Sequence, residues 1–188
     1  MDYFTNAGQF LLNVFFGLYI FAVLLRFLLQ LVRADFYNPI AQLLVAITNP
    51  PLKPLRRAIP GLYGIDLASV VLLLLLEIIY QTLRATLLNQ PLLPATLLVN
   101  GVFDLLHNTL NIFLFGILIV VILSWLNPYP NSLSQLLGRL TGPVLRPVRQ
   151  ILPPFSGIDL SPMVAMVVIV LAQMALPYLE RSALDLLH

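Results

Sequence analysis

Twenty residues of this chain occur twice. Thr48 to Leu67 reads TNPPLKPLRRAIPGLYGIDL, and Thr141 to Leu160 reads TGPVLRPVRQILPPFSGIDL. Ten positions are identical without a gap: Thr48, Pro50, Leu52, Pro54, Arg56, Pro60, Gly64, Ile65, Asp66 and Leu67, matched by Thr141, Pro143, Leu145, Pro147, Arg149, Pro153, Gly157, Ile158, Asp159 and Leu160. Lys53 faces Arg146, so a basic residue recurs there too. Self-similarity of this length is settled before other readings, because any fold must then accommodate one local structure twice.

What surrounds the two copies is apolar. Of 188 residues, 60% are hydrophobic and only 10% charged, against about 25% charged in soluble domains. Too few polar side chains exist to clothe a water-facing surface, so the chain belongs in lipid. The chain contains no Cys. That excludes disulfides, thiolate metal sites, iron–sulfur clusters and haem attached through Cys. The two histidines, His107 and His188, lie outside the strong apolar runs, so a bis-His haem within the bilayer is not expected. No cofactor is expected, and a net charge of +2 is too small to suggest nucleic acid as a partner.

Four apolar runs are expected to span: 8–32, 67–88, 108–126 and 161–179. The first would be roughly 37 Å long as a helix, against a hydrocarbon core of about 30 Å. The N-terminus, MDYFTNAGQF, carries Asp2 and no basic residues, so it reads as the lead into a retained span and not as a cleaved signal. Arg26, in the last turns of the first span, is placed to snorkel to the nearer interface. Asn38-Pro39 reads as a helix start, opening a short interfacial helix of about two turns over 40–47. Asn131 or Ser132 opens its counterpart, with Leu133, Leu136, Leu137 and Leu140 on one side. Prolines 50, 51, 54 and 60 are expected to stop any continuous helix and to give extended or turn backbone. Such backbone cannot face lipid, where its polar groups would lack partners. Asp66 and Asp159 are placed to cap the spans that follow. Residues 91–107 read as a linker with a short interfacial helix over 97–106. The expected organisation is a first unit over 1–90, this linker, and a second unit over 108–188.

Each unit is thus span, basic Pro-rich loop, span. An even number of spans per unit gives both units one orientation, a parallel repeat. Arg33, Lys53, Arg56 and Arg57 lie in the first loop, and Arg139, Arg146 and Arg149 in the second. Only Arg84 and Arg181 fall on the other side. Seven against two places both loops in the cytoplasm and both termini outside it.

Three groups of residues are candidates for function. The repeated Pro50, Lys53, Pro54, Arg56, Pro60, Gly64 and Asp66, with Pro143, Arg146, Pro147, Arg149, Pro153, Gly157 and Asp159, form a paired surface suited to anionic headgroups or an acidic partner. The alternative reading is that the charges only fix topology, but topology has no need of matching Pro, Gly and Asp. Glu77 lies mid-span, where an ionised carboxylate costs about 2.5–3.5 kcal/mol on insertion scales. It reads as a proton or cation site on a transport path, or as a structural partner of Arg26 or Arg84. Asp66 and Asp159 read as a cation-binding pair or, more simply, as caps. No nucleophile-and-base spacing, phosphate loop or metal box is present, so an enzyme is not expected.

With both copies in view, the chain resembles the YggT family of small bacterial and plastid integral membrane proteins. The resemblance is carried by Pro50-x-x-x-Pro54-x-Arg56-x-x-x-Pro60-x-x-x-Gly64-Ile65-Asp66 and its partner from Pro143 to Asp159, and it covers nearly the whole chain. It implies a multi-pass bacterial inner-membrane protein with no established catalytic activity, associated with tolerance of osmotic shock. In plastids it implies cofactor assembly of a cytochrome complex, or nucleoid distribution. The expectation is an all-α protein of four spans, acting as a scaffold or assembly factor through its two loops on a membrane protein partner. The alternative is a channel or transporter component for ions or osmolytes.

Overall fold

The computed structural model describes residues 3–126, 129, 131–152 and 159–186. Among the described residues six helices follow one another: α1 Tyr3–Leu31, α2 Pro39–Ala58, α3 Leu67–Leu87, α4 Pro94–Leu126, α5 Ser132–Ile151 and α6 Ser161–Asp185. Among the described residues the only strand-like pairing is an isolated bridge between Leu62 and Ile65. Four helices, α1, α3, α4 and α6, are long and apolar enough to cross a membrane, as hydropathy predicts. Large apolar side chains such as Phe15, Leu18, Phe115, Val167, Val168 and Leu171 remain exposed on them, which in lipid is the favourable arrangement. The protein is an all-α, multi-pass membrane protein.

Chain direction alternates through the bundle. Tyr80 of α3 bonds to Asn13 of α1, and Gln173 of α6 to Asn111 of α4. The end of α1 therefore lies beside the start of α3, and Ser124 and Trp125 share a cavity with Asp159 and Pro162, which sets the end of α4 beside the start of α6. α2 and α5 both sit at that end and meet there, where Asn38 Nδ2 donates to Ser132 O at 2.6 Å.

The prolines do not stop α2 and α5. Each helix runs 20 residues, with Pro50, Pro51 and Pro54 inside α2 and Pro143 and Pro147 inside α5, where turn backbone and a two-turn helix are expected from sequence. The reason is where they fall. A proline deprives the carbonyl four residues earlier of its partner. Those carbonyls belong to Ala46, Ile47, Pro50, Arg139 and Pro143, and all five residues are exposed. Exposed on the outer flank, these carbonyls are open to partners such as water or headgroups. The opposite faces are buried through Ala41, Leu44, Thr48 and Leu52 in α2 and through Leu136, Leu137, Leu140, Thr141 and Leu145 in α5. Packing on that stripe holds the helix together where propensity alone would not.

The linker also differs from expectation. Residues 94–107 are neither a separate interfacial helix nor a fifth span, but the first turns of α4, continuous to Leu126 over 33 residues. Helix α6 likewise extends to Asp185 through Pro177. The main core joins α1, α2 and α3 with Ile112 of α4 and the leucines of α5, and a smaller cluster gathers Ile117, Leu145, Ala165 and Ile169. In lipid, helices associate by close fit and polar bonds more than by hydrophobic burial. Two glycines provide that fit: a Cβ on Gly101 would stand 3.1 Å from Cβ of Glu77, and one on Gly116 3.2 Å from Cγ2 of Thr141.

Candidate functional site

Both copies of the repeated stretch build the same contact. The arginine in the last turn of the surface helix reaches the aspartate ten residues on, at the mouth of the next span. Arg56 donates from Nε to Asp66 Oδ2 at 3.1 Å and from Nη2 to the same oxygen. Its Nη2 also donates to Gln30 Oε1 of α1 at 3.2 Å, so one guanidinium ties the end of α1, the end of α2 and the start of α3. In the second copy Arg149 Nε donates to Asp159 Oδ2 at 2.9 Å. These clasps differ in depth. The side chains of Arg56 and Asp66 are 36% and 6% exposed, those of Arg149 and Asp159 46% and 31%.

Neither aspartate caps as expected: Asp159 stands one residue before Leu160, the N-cap of α6. Asp159 Oδ1 accepts from Ser161 N at 3.0 Å. Asp66 stands at the N-cap position of α3 but makes no side-chain bond to the helix backbone; its carboxylate is occupied by Arg56 and by the hydroxyl of Ser69. Burial alone would raise the Asp66 carboxyl, but the bonds from Arg56 and Ser69 outweigh it and hold the group below the usual carboxylate range. Asp159 is likewise lowered: burial pushes it up, and the bonds from Ser161 and Arg149 prevail.

Between the arginine and the aspartate of the first copy the chain reverses tightly. Leu62 N donates to Ile65 O and Ile65 N to Leu62 O, at 3.1 and 2.9 Å. The two residues between have positive φ, 51° at Tyr63 and 84° at Gly64. Such a turn asks for glycine at its second position, which is why Gly64 belongs to the motif. Pro60 follows the C-cap of α2 and is exposed. Pro153 and Gly157, their counterparts, lie outside the described residues.

The other basic residues of the two surface helices are free of the clasps. Lys53, Arg57, Arg139 and Arg146 are exposed, and Lys53 and Arg57 stand one turn apart on α2. Pro50, Pro54, Pro143 and Pro147 line the adjacent exposed flank.

The two intramembrane charges behave differently from expectation. Arg26 does not snorkel: it is 4% exposed and donates from Nη1 to Thr48 Oγ1 at 2.6 Å, while Thr48 in turn donates to Leu44 O. It therefore latches α1 to the buried face of α2, reaching inward because α2 covers its end of the span. Glu77 is 2% exposed and makes an ion pair with neither Arg26 nor Arg84. Its Oε2 has no hydrogen-bond partner. Asn13, Tyr80, Arg84, Asp104 and Asn108 gather around it, a polar group drawn from three helices that no motif spacing announces.

The class defined by this architecture is a multi-pass α-helical membrane protein. At one end of its bundle, two amphipathic surface helices are each clasped by an Arg–Asp pair to the span that follows. The chain belongs to the CCB3/YggT family: the family's sequence model matches residues 5–87 and again residues 99–179. It is 42% identical to protein PA0392 of Pseudomonas aeruginosa over 173 residues, 90% of this chain and 88% of that protein. It is 37% identical over 162 residues to a protein encoded in the proC 3′ region of Vibrio alginolyticus (85% and 87% covered). It is 34% identical over 170 residues to YggT of Escherichia coli K12 (90% and 88% covered). No solved structure matches it.

Proposed function

We propose that this protein is a non-enzymatic scaffold or assembly factor of the bacterial inner membrane, contributing to envelope tolerance of osmotic stress. Its working surface is the end of the bundle where α2 and α5 lie, facing the cytoplasm, with both termini in the periplasm. One observation carries this reading: the two basic helices meet at one end through Asn38 and Ser132, and each is clasped to the bundle. Charges needed only for topology would not be presented on braced, paired helices. The excess of basic residues at that end supports the cytoplasmic orientation, and the two halves read as parallel repeats. The link to osmotic stress rests on the family resemblance.

The surface suits anionic headgroups and an acidic membrane protein partner. Each basic residue near the leaflet adds about 1 kcal/mol of attraction. Reversing Lys53, Arg57, Arg139 and Arg146 to Glu leaves both clasps in place. Survival of osmotic shock is expected to fall to that of a deletion strain while insertion stays normal. Full tolerance in a correctly inserted variant would overturn this reading.

A second reading, a channel or transporter component for ions or osmolytes, is favoured by the buried, unpartnered Glu77. Flux in reconstituted vesicles tests it: no flux removes the class, and flux unchanged by Glu77→Gln removes Glu77 from the path.

A further inference from the structure

Glu77 sits at the middle of α3, beside a polar cavity of about 240 Å³ that extends toward the end away from the clasps. Asn13 of α1, Tyr80 and Arg84 of α3, and Asp104 and Asn108 of α4 line it with Glu77. Most of these groups already have partners. The Tyr80 hydroxyl donates to Asn13 Oδ1 at 2.8 Å. Gln81 donates to Asp104 Oδ2, and Arg84 shares the cavity with that carboxylate. Glu77 does not: it is 98% removed from solvent and its Oε2 accepts no bond. Gly101 packs against its Cβ and keeps α4 close behind it.

The charges would not balance with Glu77 ionised. Glu77 and Asp104 bring two negative charges, and Arg84 one positive. An ionised Glu77 therefore needs one further positive charge, and without a cation a proton takes that place. The cavity has room for an ion that keeps part of its water. Its lining carries hard oxygen donors on Glu77, Asp104, Asn13, Asn108 and Tyr80, beside the Arg84 guanidinium. Such ligands suit alkali and alkaline-earth ions over transition metals. Among the described residues no three His, Cys, Asp or Glu side chains converge as a polyvalent metal would require.

We infer that the cavity between α1, α3 and α4 is an exchangeable monovalent-cation site, with sodium the cation and Glu77 its charged ligand. The proton competes with sodium for the same carboxylate. The other charged or titratable groups facing the site are Tyr80 and Arg84 from α3 and Asp104 from α4, with His107 and Glu180 electrostatically coupled through Asp104; α1 contributes only neutral Asn13. The site requires neither reading above, because a cation can be bound without being carried.

The test uses the full chain in lipid nanodiscs and measures binding, not flux. ²²Na⁺ binding at alkaline pH is expected to saturate near one ion per chain and to fade on acidification. In NaCl the unfolding temperature should exceed that in N-methyl-D-glucamine chloride of equal ionic strength. Glu77→Gln keeps the shape and removes the charge, so it should weaken sodium binding at least tenfold and erase the sodium-dependent shift. Asn108→Ala, which leaves Glu77 in place, should weaken binding several-fold and keeps the test alive if the first variant does not fold. Equal sodium responses in wild type and Glu77→Gln, or a response to pH with none to sodium, would overturn the assignment.

Discussion

The two Arg–Asp clasps have one chemistry and different burial, so their energetic weights should differ in a calculable way. Removing Arg56 leaves Asp66, 6% exposed, with only the Ser69 hydroxyl. Stranding one member of a fully buried pair costs about 3–5 kcal/mol. Arg56 itself is about one-third exposed and water screens part of the interaction, so roughly 2–3 kcal/mol is expected for Arg56→Ala. Arg149 and Asp159 are 46% and 31% exposed, nearer the surface regime, where about 0.2–1 kcal/mol is typical. The assay is a double-mutant cycle at each clasp (Arg56→Ala with Asp66→Asn, Arg149→Ala with Asp159→Asn), with unfolding followed by circular dichroism in mixed micelles titrated with dodecyl sulfate. Coupling should be about 1.5 kcal/mol or more at the first clasp and under about 1 kcal/mol at the second. The pH dependence has a fixed sign. Asp66 is depressed in the folded state, so its contribution is present above the ordinary carboxylate pKa of about 3.9 and is lost as pH falls through the lower folded value. The gap between wild type and Asp66→Asn should therefore be constant near neutrality and close in acid. Equal coupling at both clasps, or a gap that widens in acid, would refute the reasoning.

Other substitutions probe other parts of the bundle. Thr48→Val removes the only short bond to the buried Arg26 guanidinium and should cost about 2–4 kcal/mol in the same titration; combining it with Arg26→Met should recover most of that loss, since an apolar pair leaves no stranded charge. Gly64→Ala forces a Cβ into backbone at φ 84°, and a melting curve should show about 1–2 kcal/mol lost. Gly101→Leu inserts a side chain where a Cβ alone would stand 3.1 Å from that of Glu77. It should separate α3 from α4, read as weakened cross-linking between cysteines placed at 81 and 104.

Hydropathy alone made the four spans legible, because lipid demands continuous apolar helices and little competes with that signal. The surface helices were half legible. Asn38 and Asn131 announced their starts, and both accept the expected cap bonds. Their length was hidden, because a proline-rich run looks the same in sequence whether its orphaned carbonyls face water or a core. Residues 94–107 were misread since Asn100, Gly101, Asp104 and His107 dilute the apolar run, although Gly101 and Asp104 are there to meet α3. The clasps left a trace that spacing could have exposed: an arginine and an aspartate of opposite charge, ten apart, in both copies. The polar group around Glu77 left none, for it is assembled from three helices distant in sequence.

Helices α3 and α4 pack side by side, yet one has 21 residues and the other 33. At 1.5 Å per residue these are about 32 and 50 Å long. No flat bilayer matches both. Lipid beside α3 meets a wall about as tall as the hydrocarbon layer, while α4 must lean, overhang the leaflet or thicken it locally. Each ångström of such mismatch carries a fraction of a kcal/mol. A change in membrane thickness, as stretching or a shift in lipid composition produces, therefore pulls unevenly on the two neighbours whose seam holds Glu77.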